Sequence, residues 1–259
     1  MNQEIALHGG TTNRGLVFRV GDTVRRPRRT TSASTEALLQ HLADVGFDGA
    51  PRFLGVDEQG REVLSYIPGE TVTPPYSAWA LTEEALRSVV LLLRRYHEAV
   101  AGFVPTGHTW PEPQPPTARD GLVSHNDPNL DNVVFRDGHA VALIDFDLAG
   151  PGSRLWDLAA TARLWVPLRP AAEIADVRRD HCAARLRLAV QTYGGPATDP
   201  DQLLDAVVAH HAWSYDIMRV AADGGHRAFA DYLDNATLAR ADRTHQWYEQ
   251  TRWLREVLP

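Results

Sequence analysis

The chain has 259 residues, of which 44% are hydrophobic and 23% charged, proportions typical of a globular protein that buries a sizeable core. Its net charge of -7 argues against a nucleic acid as the principal partner, because binding to a phosphate backbone needs an excess of cationic side chains. All 26 basic residues are arginine, which excludes a P-loop, since that motif requires a lysine.

Cysteine content and hydropathy bear on the compartment. The single cysteine, Cys182, permits no internal disulfide and suits a reducing cytoplasm. The first residues lack the apolar core of a signal peptide, and the longest aliphatic run, residues 89–93, is too short to cross a bilayer. We therefore expect a cytoplasmic protein with no membrane partner, and the sequence leaves its oligomeric state open.

The first part of the chain predicts a small strand-rich lobe. Residues 15–20 and 23–26 are short β segments around a Gly-Asp turn, and a Gly- and Thr-containing loop, residues 8–13, precedes them. Residues 34–45 predict a helix that packs its Leu face and Val45 against the sheet. A strand over residues 61–70 follows and ends at a Pro-Gly turn.

The remainder of the chain predicts mostly helices. Residues 82–100 form an amphipathic helix with Thr82 as its N-cap and two glutamates in its first turn. The C-terminal part predicts helices over residues 172–193, 199–222 and 228–258. The histidines of this part, His210, His211 and His226, lack the spacing and companion ligands of a zinc site, which favours surface positions.

Between these two regions lies the segment that carries chemistry, residues 124–132, with the sequence Ser-His-Asn-Asp-Pro-Asn-Leu-Asp-Asn. A predicted hairpin with an Asp-Gly turn follows and brings Asn132 close to Asp145 at neighbouring strand ends. An amide oxygen and a carboxylate placed there can hold a hard divalent cation that takes its other ligands from water and phosphate. Asp127, five residues before Asn132, can accept a proton from an attacking hydroxyl.

Each of these residues has a simpler interpretation when taken alone. Asp-Pro-Asn and Asp-Asn are common turn formers, so Asp127 and Asn132 can be turn or cap residues. Asp145 and Asp147 alternate with apolar residues, as solvent-facing positions of an edge strand do. The ordered combination of all of them favours a phosphoryl-transfer site over these readings.

The motifs together resemble a known family. The H-x-D-x-x-x-x-N element that begins at His125, the D-F-D of residues 145–147 and the L-W-D-L-A of residues 155–159 resemble the aminoglycoside phosphotransferase and choline kinase branch of the kinase-like fold. Two positions depart from the family pattern. Asn126 stands where the family often has Gly, and Asn129 stands where it frequently has His.

The resemblance implies a role for each residue of these motifs. Asp127 would be the catalytic base, and Asn132 and Asp145 would be the magnesium ligands. Asp157 would be a buried brace for the catalytic loop, and His125 would serve mainly as a structural support.

The same resemblance implies nucleotide contacts in the first lobe. Arg25, which points to the same side of its strand as Thr23, would occupy the phosphate-clamp position, with Glu36 as its ion-pair partner. The alternative is a solvated basic run over residues 25–29. Backbone groups of Ser65, Tyr66 and Ile67 would meet adenine, and the loop over residues 8–13 would cover the phosphates.

We therefore expect an α+β, bilobal protein-kinase-like fold with a nucleotide-binding lobe at residues 1–70 and a catalytic and substrate-binding lobe at residues 71–259. The expected activity is magnesium- and ATP-dependent transfer of the γ-phosphate to a hydroxyl of a small molecule, for example an antibiotic. One alternative is a non-catalytic immunity protein that binds an antibiotic or toxin without modifying it. A protein kinase is disfavoured, since the segment from Asp145 to Asp157 is too short for a regulated activation loop.

Charge distribution suggests something about the acceptor. Residues 71–259 carry a net charge of -6 and residues 1–70 a net charge of -1. A lobe of one charge sign concentrates ligands of the opposite sign, which favours a cationic acceptor. The alternative is that these carboxylates only solvate helix surfaces.

Overall fold

The computed structural model describes residues 3–7, 15–116, 121–195 and 198–258. The loop over residues 8–13, expected to cover the nucleotide phosphates, lies outside the described residues. Among the residues that are described, no helix combines the length and the apolar character that a membrane span requires.

An antiparallel five-stranded sheet forms the first lobe, with the strand order β1-β2-β3-β5-β4. Its strands are β1 (Glu4–Ala6), β2 (Phe18–Val20), β3 (Thr23–Arg26), β4 (Phe53–Val56) and β5 (Glu62–Ser65). Helix α1 (Ser32–Asp44) buries the predicted leucine face, Leu38, Leu39 and Leu42, in the core. Val45 lies beyond the end of this helix and is exposed, so its predicted place on the packing face is wrong.

The chain leaves the sheet through the predicted Pro-Gly turn. Gly69 has a φ of 153°, and a Cβ atom at this position would collide with the carbonyl oxygen of Phe135, so only glycine fits. The next residue, Glu70, exchanges backbone hydrogen bonds of 2.9 and 2.8 Å with Phe135 of the second lobe. The strand predicted over residues 61–70 is therefore shorter in the structure, and its last residues form the connection from the first lobe to the second.

Helix α2 (Glu83–Val100) forms the centre of the second lobe. Its predicted cap is confirmed, because the Thr82 hydroxyl accepts a hydrogen bond of 3.1 Å from the backbone N–H of Ala85. The apolar residues of its inner face, Leu86, Val89, Val90 and Leu93, have no exposed surface. This helix thus anchors the core on which the motif-bearing segment rests.

The predicted hairpin is present as β7 (Val133–Arg136) and β8 (His139–Leu143). Its turn residues Asp137 and Gly138 have φ values of 52° and 76°, as a tight Asp-Gly turn requires. Ile144 donates a backbone hydrogen bond of 2.9 Å to the carbonyl oxygen of Asn132. The prediction that Asn132 and Asp145 lie at neighbouring strand ends is therefore confirmed.

Two further strands flank the motif. Strand β6 (Leu122–Ser124) precedes it and pairs antiparallel with β9 (Gly150–Gly152), which follows the hairpin. Helix α3 (Arg154–Trp165) follows, with Ser153 as its N-cap. The Ser153 hydroxyl accepts a hydrogen bond of 3.2 Å from the backbone N–H of Trp156. Asp157 thereby lies in the first turn of a helix that starts beside the motif.

The C-terminal helices are α4 (Cys182–Tyr193), α5 (Pro200–Asp223), α6 (Arg227–Tyr232) and α7 (Asn235–Gln250). The helix predicted over residues 172–193 is wrong in its first half, since the Asp176 carboxylate accepts the backbone N–H of Arg178 and so favours a turn. The helix predicted over residues 228–258 is interrupted at Asp234, which caps α7 through the N–H of Thr237 at 2.7 Å.

Candidate active site

The loop over residues 125–132 is held by one buried carboxylate. Asp157 has no exposed surface and accepts hydrogen bonds of 2.7 Å from the backbone N–H groups of both His125 and Asn126. The imidazole of His97 lies 3.1 Å from the same carboxylate and 2.7 Å from the hydroxyl of Tyr193. The three contacts satisfy the charge of Asp157 and fix the backbone just before Asp127.

His125 and Asn126 complete this support. The Nδ1 atom of His125 accepts the backbone N–H of Asp127 at 3.3 Å, so its Nε2–H donates to the carbonyl oxygen of Ile144 at 3.1 Å. Burial lowers the pKa of His125, which favours this neutral form. Asn126 has a φ of 68°, a left-handed conformation that favours Gly or Asn, so an amide side chain fits where the family often has glycine.

Asp127 and Asn132 form a direct pair. The Asn132 side-chain nitrogen donates to the Asp127 carboxylate at 2.9 Å and to the Asp127 carbonyl oxygen at 3.0 Å. Burial and the nearby Asp131 raise the pKa of Asp127 to about 6, even though Arg163 and the bond from Asn132 act in the opposite direction. The pair orients Asp127 and leaves the amide oxygen of Asn132 as the atom that can bind a cation.

Asp145 adds a second carboxylate to the same site. It adopts a left-handed conformation with φ 60° and ψ 67° immediately after the hairpin, and its side chain is 34% exposed. Burial and the nearby Asp147 raise the pKa of Asp145 to about 7. Asp127 also raises this pKa, so the site concentrates negative charge that a bound cation would relieve.

These residues meet at one cavity. Asp127, Asn132 and Asp145 all line a cavity of about 560 Å³ between the motif and the C-terminal helices. Two side-chain oxygen donors are too few for a complete protein cage, and the described residues contain no cluster of three or more His, Cys, Asp or Glu with metal-binding geometry. The donor set fits a magnesium ion, which keeps water and phosphate oxygens among its ligands.

The structure does not bring Arg25, the predicted phosphate clamp, to the site. The Arg25 guanidinium bonds to Thr23 at 2.6 Å and lies 3.6 Å from Asp57, on the side of β3 away from the motif. Arg26 points to the opposite side and lies 2.8 Å from Asp147 and 3.4 Å from Asp145. Successive strand residues face opposite sides of a sheet, so only one of the two arginines can reach the site, and it is Arg26.

The predicted partner of the clamp is also different. Glu36 bonds to Arg28 at 2.7 Å, so its expected pair with Arg25 does not form. Arg26 instead pairs at 2.6 Å with Glu62 of the adjacent strand β5, where the register places the two residues side by side. The Ser32 hydroxyl, at the start of α1, bonds to the other oxygen of Glu62. The pairing of Arg26 with Glu62 could be predicted from the sequence only if the register of β3 against β5 were known.

The predicted adenine contacts are partly occupied by the protein itself. Ser65 donates its backbone N–H to Arg52 at 2.9 Å, and Tyr66 donates its own to Asp22 at 2.9 Å. Of the three backbone N–H groups, only that of Ile67 makes no hydrogen bond within the described part of the chain. An adenine contact by a donated N–H at this segment is therefore restricted to Ile67.

Two histidines expected on the surface lie in the wall of the site. His210 and His211 of α5 are only 2% and 6% exposed, so the surface prediction is wrong for both. His210 Nδ1 accepts from Arg163 at 3.1 Å, which leaves its Nε2–H to donate to the carbonyl oxygen of Asn126 at 3.1 Å. Burial and Arg163 lower the pKa of His210 well below its ordinary value, which keeps the ring neutral. Sequence reasoning missed this contact because it joins residues far apart in the chain.

The cavity wall carries charges of both signs. Asp127, Asp131 and Asp145 line it from the motif-bearing segment, whereas Arg163, Arg169 and Arg240 line it from α3, the segment after α3 and α7. Aromatic side chains of α5, α6 and α7 form much of the remaining wall, namely Trp213, Tyr215, Phe229, Tyr232 and Tyr248. The net charge of the lobe therefore does not describe the surface that a ligand would meet.

Comparisons with known proteins concern the fold and the part of the chain that carries the motif. Residues 106–191 match the model of the phosphotransferase enzyme family. The fold is similar to that of an aminoglycoside 2'-phosphotransferase-IIIa in complex with GDP, with a TM-score of 0.63 and 14% identity over 97% of this chain and 94% of that one. It is also similar to a choline/ethanolamine kinase family protein from Mesorhizobium loti, with a TM-score of 0.51 and 19% identity over 94% and 92% of the two chains.

The chain is also similar to a protein that is not a phosphotransferase by name. The chain is 40% identical over 156 residues to the trifolitoxin immunity protein of Rhizobium leguminosarum bv. trifolii. The match spans 58% of this chain and 58% of the length of that relative.

The fold is α+β and protein-kinase-like, as in these solved structures. Within that architecture, the resemblance to the aminoglycoside phosphotransferase and choline kinase branch is confirmed by the family match over the motif-bearing segment.

Proposed function

We propose that this protein transfers the γ-phosphate of ATP to a hydroxyl group of a small molecule. The observation that carries the proposal is the convergence of Asp127, Asn132 and Asp145 on one cavity, with Asp127 oriented by Asn132 at 2.9 Å. Relatives of the same fold include a complex with GDP and a ternary complex with ATP and streptomycin, which supports nucleotide use.

Asp127 would accept the proton of the acceptor hydroxyl. Its pKa of about 6 suits this task, since a base with a pKa near the working pH is ionised and still basic enough to take a proton. Its position is set through the backbone by Asp157 and through the side chain by Asn132. A general base of this kind contributes about a hundredfold to ten-thousandfold to the rate.

Asn132 and Asp145 would hold magnesium against the nucleotide phosphates. The ion would supply charge neutralisation for the phosphoryl group during transfer. The crowded carboxylates that raise the pKa of Asp145 to about 7 support a cation at this place. Arg26, with a planar group that can grip phosphate oxygens, would take the role expected for Arg25.

The second candidate is a protein that confers immunity by binding a toxin or antibiotic without modifying it. The 40% identity to the trifolitoxin immunity protein favours it. So does the engagement of Arg26 with carboxylates at 2.6 and 2.8 Å, because a guanidinium held in this way must be released before it can bind phosphate. Phosphorylation of a toxin hydroxyl would join both candidates in one activity.

The cytoplasm is the proposed location, on the basis of the single free cysteine Cys182.

The experiment is a transfer assay with magnesium and γ-labelled ATP against aminoglycosides, macrolides, nucleoside antibiotics, choline and sugars. Wild-type protein should label one acceptor class, and Asp127→Asn should lower that rate by about a hundredfold or more while calorimetry shows unchanged binding of magnesium-ATP. Equal rates for the two proteins would remove Asp127 as the base. Absence of magnesium-ATP binding by wild-type protein would favour the non-catalytic candidate.

A further inference from the structure

The cavity wall contains arginines that have no carboxylate partner in the described part of the chain. Within that part Arg163 makes one hydrogen bond, from Nε to the uncharged ring of His210 at 3.1 Å. Neither Arg163 nor Arg169 has a carboxylate within ion-pair distance among the described residues, and Arg169 has no hydrogen bond there. Both side chains are half-buried in the cavity wall. Charged groups removed from water in this way are normally paired, so the missing partner requires an explanation.

Neighbouring charges make the deficit larger. Burial, together with Arg178 and Arg163, lowers the pKa of Arg169, so this guanidinium lies among other cations. Arg178 itself is already paired with Asp176 at 2.8 Å. The carboxylate of Glu173, also in the cavity wall, accepts from Arg243 at 2.9 Å. Arg178 and one oxygen of Glu173 thus have partners other than Arg163 and Arg169, and the second oxygen of Glu173 has no hydrogen bond in the described part of the chain.

Both arginines lie close in sequence to Asp157. Arg163 lies in α3, the helix that carries Asp157, and Arg169 lies shortly after its end. Arg163 also lowers the pKa of Asp127, which shows that its positive charge is felt at the proposed base. A ligand group bound by these arginines would therefore sit at a fixed position relative to Asp127.

We propose that the acceptor carries an anionic oxyacid group, a carboxylate or a phosphate, that Arg163 and Arg169 bind in the cavity wall. The group would supply the missing counter-charge, and the planar guanidinium forks match its oxygens. The aromatic wall would cover the body of the acceptor, while its hydroxyl faces Asp127. The inference rests on the proposed function for the role of the hydroxyl, and it opposes the cationic acceptor expected from net charge, because local charges are screened less than distant ones.

The test uses two probes, inorganic phosphate and acetate, on the whole protein at constant ionic strength. Melting temperature is recorded against probe concentration, with and without magnesium and a non-hydrolysable ATP analogue, and gives an apparent Kd. Arg169→Gln is compared with Arg219→Gln, which removes an exposed arginine paired only with Asp216 at 2.9 Å. In wild-type protein and Arg219→Gln at least one probe should raise the melting temperature, and Arg169→Gln should bind it roughly tenfold to a hundredfold more weakly.

Each arm has a distinct meaning. Stabilisation by acetate assigns a carboxylate, and stabilisation by phosphate with none by acetate assigns a phosphate. No stabilisation by either probe, or equal stabilisation of wild-type protein and Arg169→Gln, would overturn the proposal. Arg169→Gln without probe should melt at the same temperature as wild-type protein or higher, since it removes an unpaired charge, and a lower value would show a structural role instead. If the wild-type protein binds a probe but does not bind the ATP analogue, only the proposed function is contradicted.

Discussion

Asp145 should be a residue at which function opposes stability. Its pKa is about 7 in the folded protein and 3.8 as an isolated group, because burial and Asp147 disfavour the ionised form. The folded state therefore holds the proton more tightly than the unfolded chain, so this residue lowers the free energy of unfolding as pH rises from about 4 to about 7. Below pH 4 both states are protonated and the cost disappears.

The size of the effect follows from the pKa difference. The two pKa values correspond to an upper limit of about 4 kcal/mol, since one pKa unit is about 1.4 kcal/mol. The Asp145 side chain is 34% exposed and lies 3.4 Å from Arg26, so solvent screening reduces the net cost to about 1–2 kcal/mol. For a chain of this length, that corresponds to roughly 2–8 °C in melting temperature.

We therefore expect Asp145→Asn to melt several degrees above wild-type protein at pH 8, without magnesium or nucleotide, and at about the same temperature at pH 4. The same variant should bind magnesium-ATP more weakly by calorimetry, because the carboxylate facing the cation is gone. Asp147→Asn is the matched control, since Asp147 pairs with Arg26 at 2.8 Å and Arg29 at 2.9 Å and should lower the melting temperature when neutralised. A lower melting temperature for Asp145→Asn at pH 8 would show that its ion pair with Arg26 outweighs the burial cost, which would refute the reasoning.

Three further predictions concern the clamp, the base and the brace. Arg26→Ala should raise the KM for ATP strongly and lower the free energy of unfolding by about 3–5 kcal/mol, because it removes a buried cation from its carboxylates. Arg25→Ala should change neither the KM nor the stability. Steady-state kinetics and denaturant titration of both variants measure these effects, and the reverse ranking would return the clamp role to Arg25. The kcat/KM for the acceptor should fall as pH drops through about 6, the pKa of Asp127, and a pH profile that stays flat from 5 to 8 would exclude this carboxylate as the base. Asp157→Ala should lower the free energy of unfolding by about 2–6 kcal/mol, because two buried backbone N–H groups lose their acceptor, and a change below about 1 kcal/mol in urea titration would show that the loop is held in another way.

The local structure of the motif-bearing segment could be predicted from the sequence because it depends on residues close together in the chain. The Asp-Gly turn fixes the hairpin over residues 133–143, and the hairpin alone brings Asn132 close to Asp145. The N-cap at Thr82 and the apolar face of α2 are likewise written in short-range patterns. Asp127 belongs to the same short stretch, so its pairing with Asn132 needed only the loop between them.

Tertiary structure decided the contacts between residues distant in the chain. Because side chains alternate along β3, Arg25 and Arg26 face opposite sides of the sheet. Which side faces the motif depends on how the sheet packs, and in the structure it is the side of Arg26. The burial of His210 against Asn126 depended on how α5 packs on the loop over residues 125–132. The sequence could not predict which charges line the cavity either, because composition gives the sum of charges over a lobe, whereas a ligand responds to the few that the fold brings within several ångströms of it.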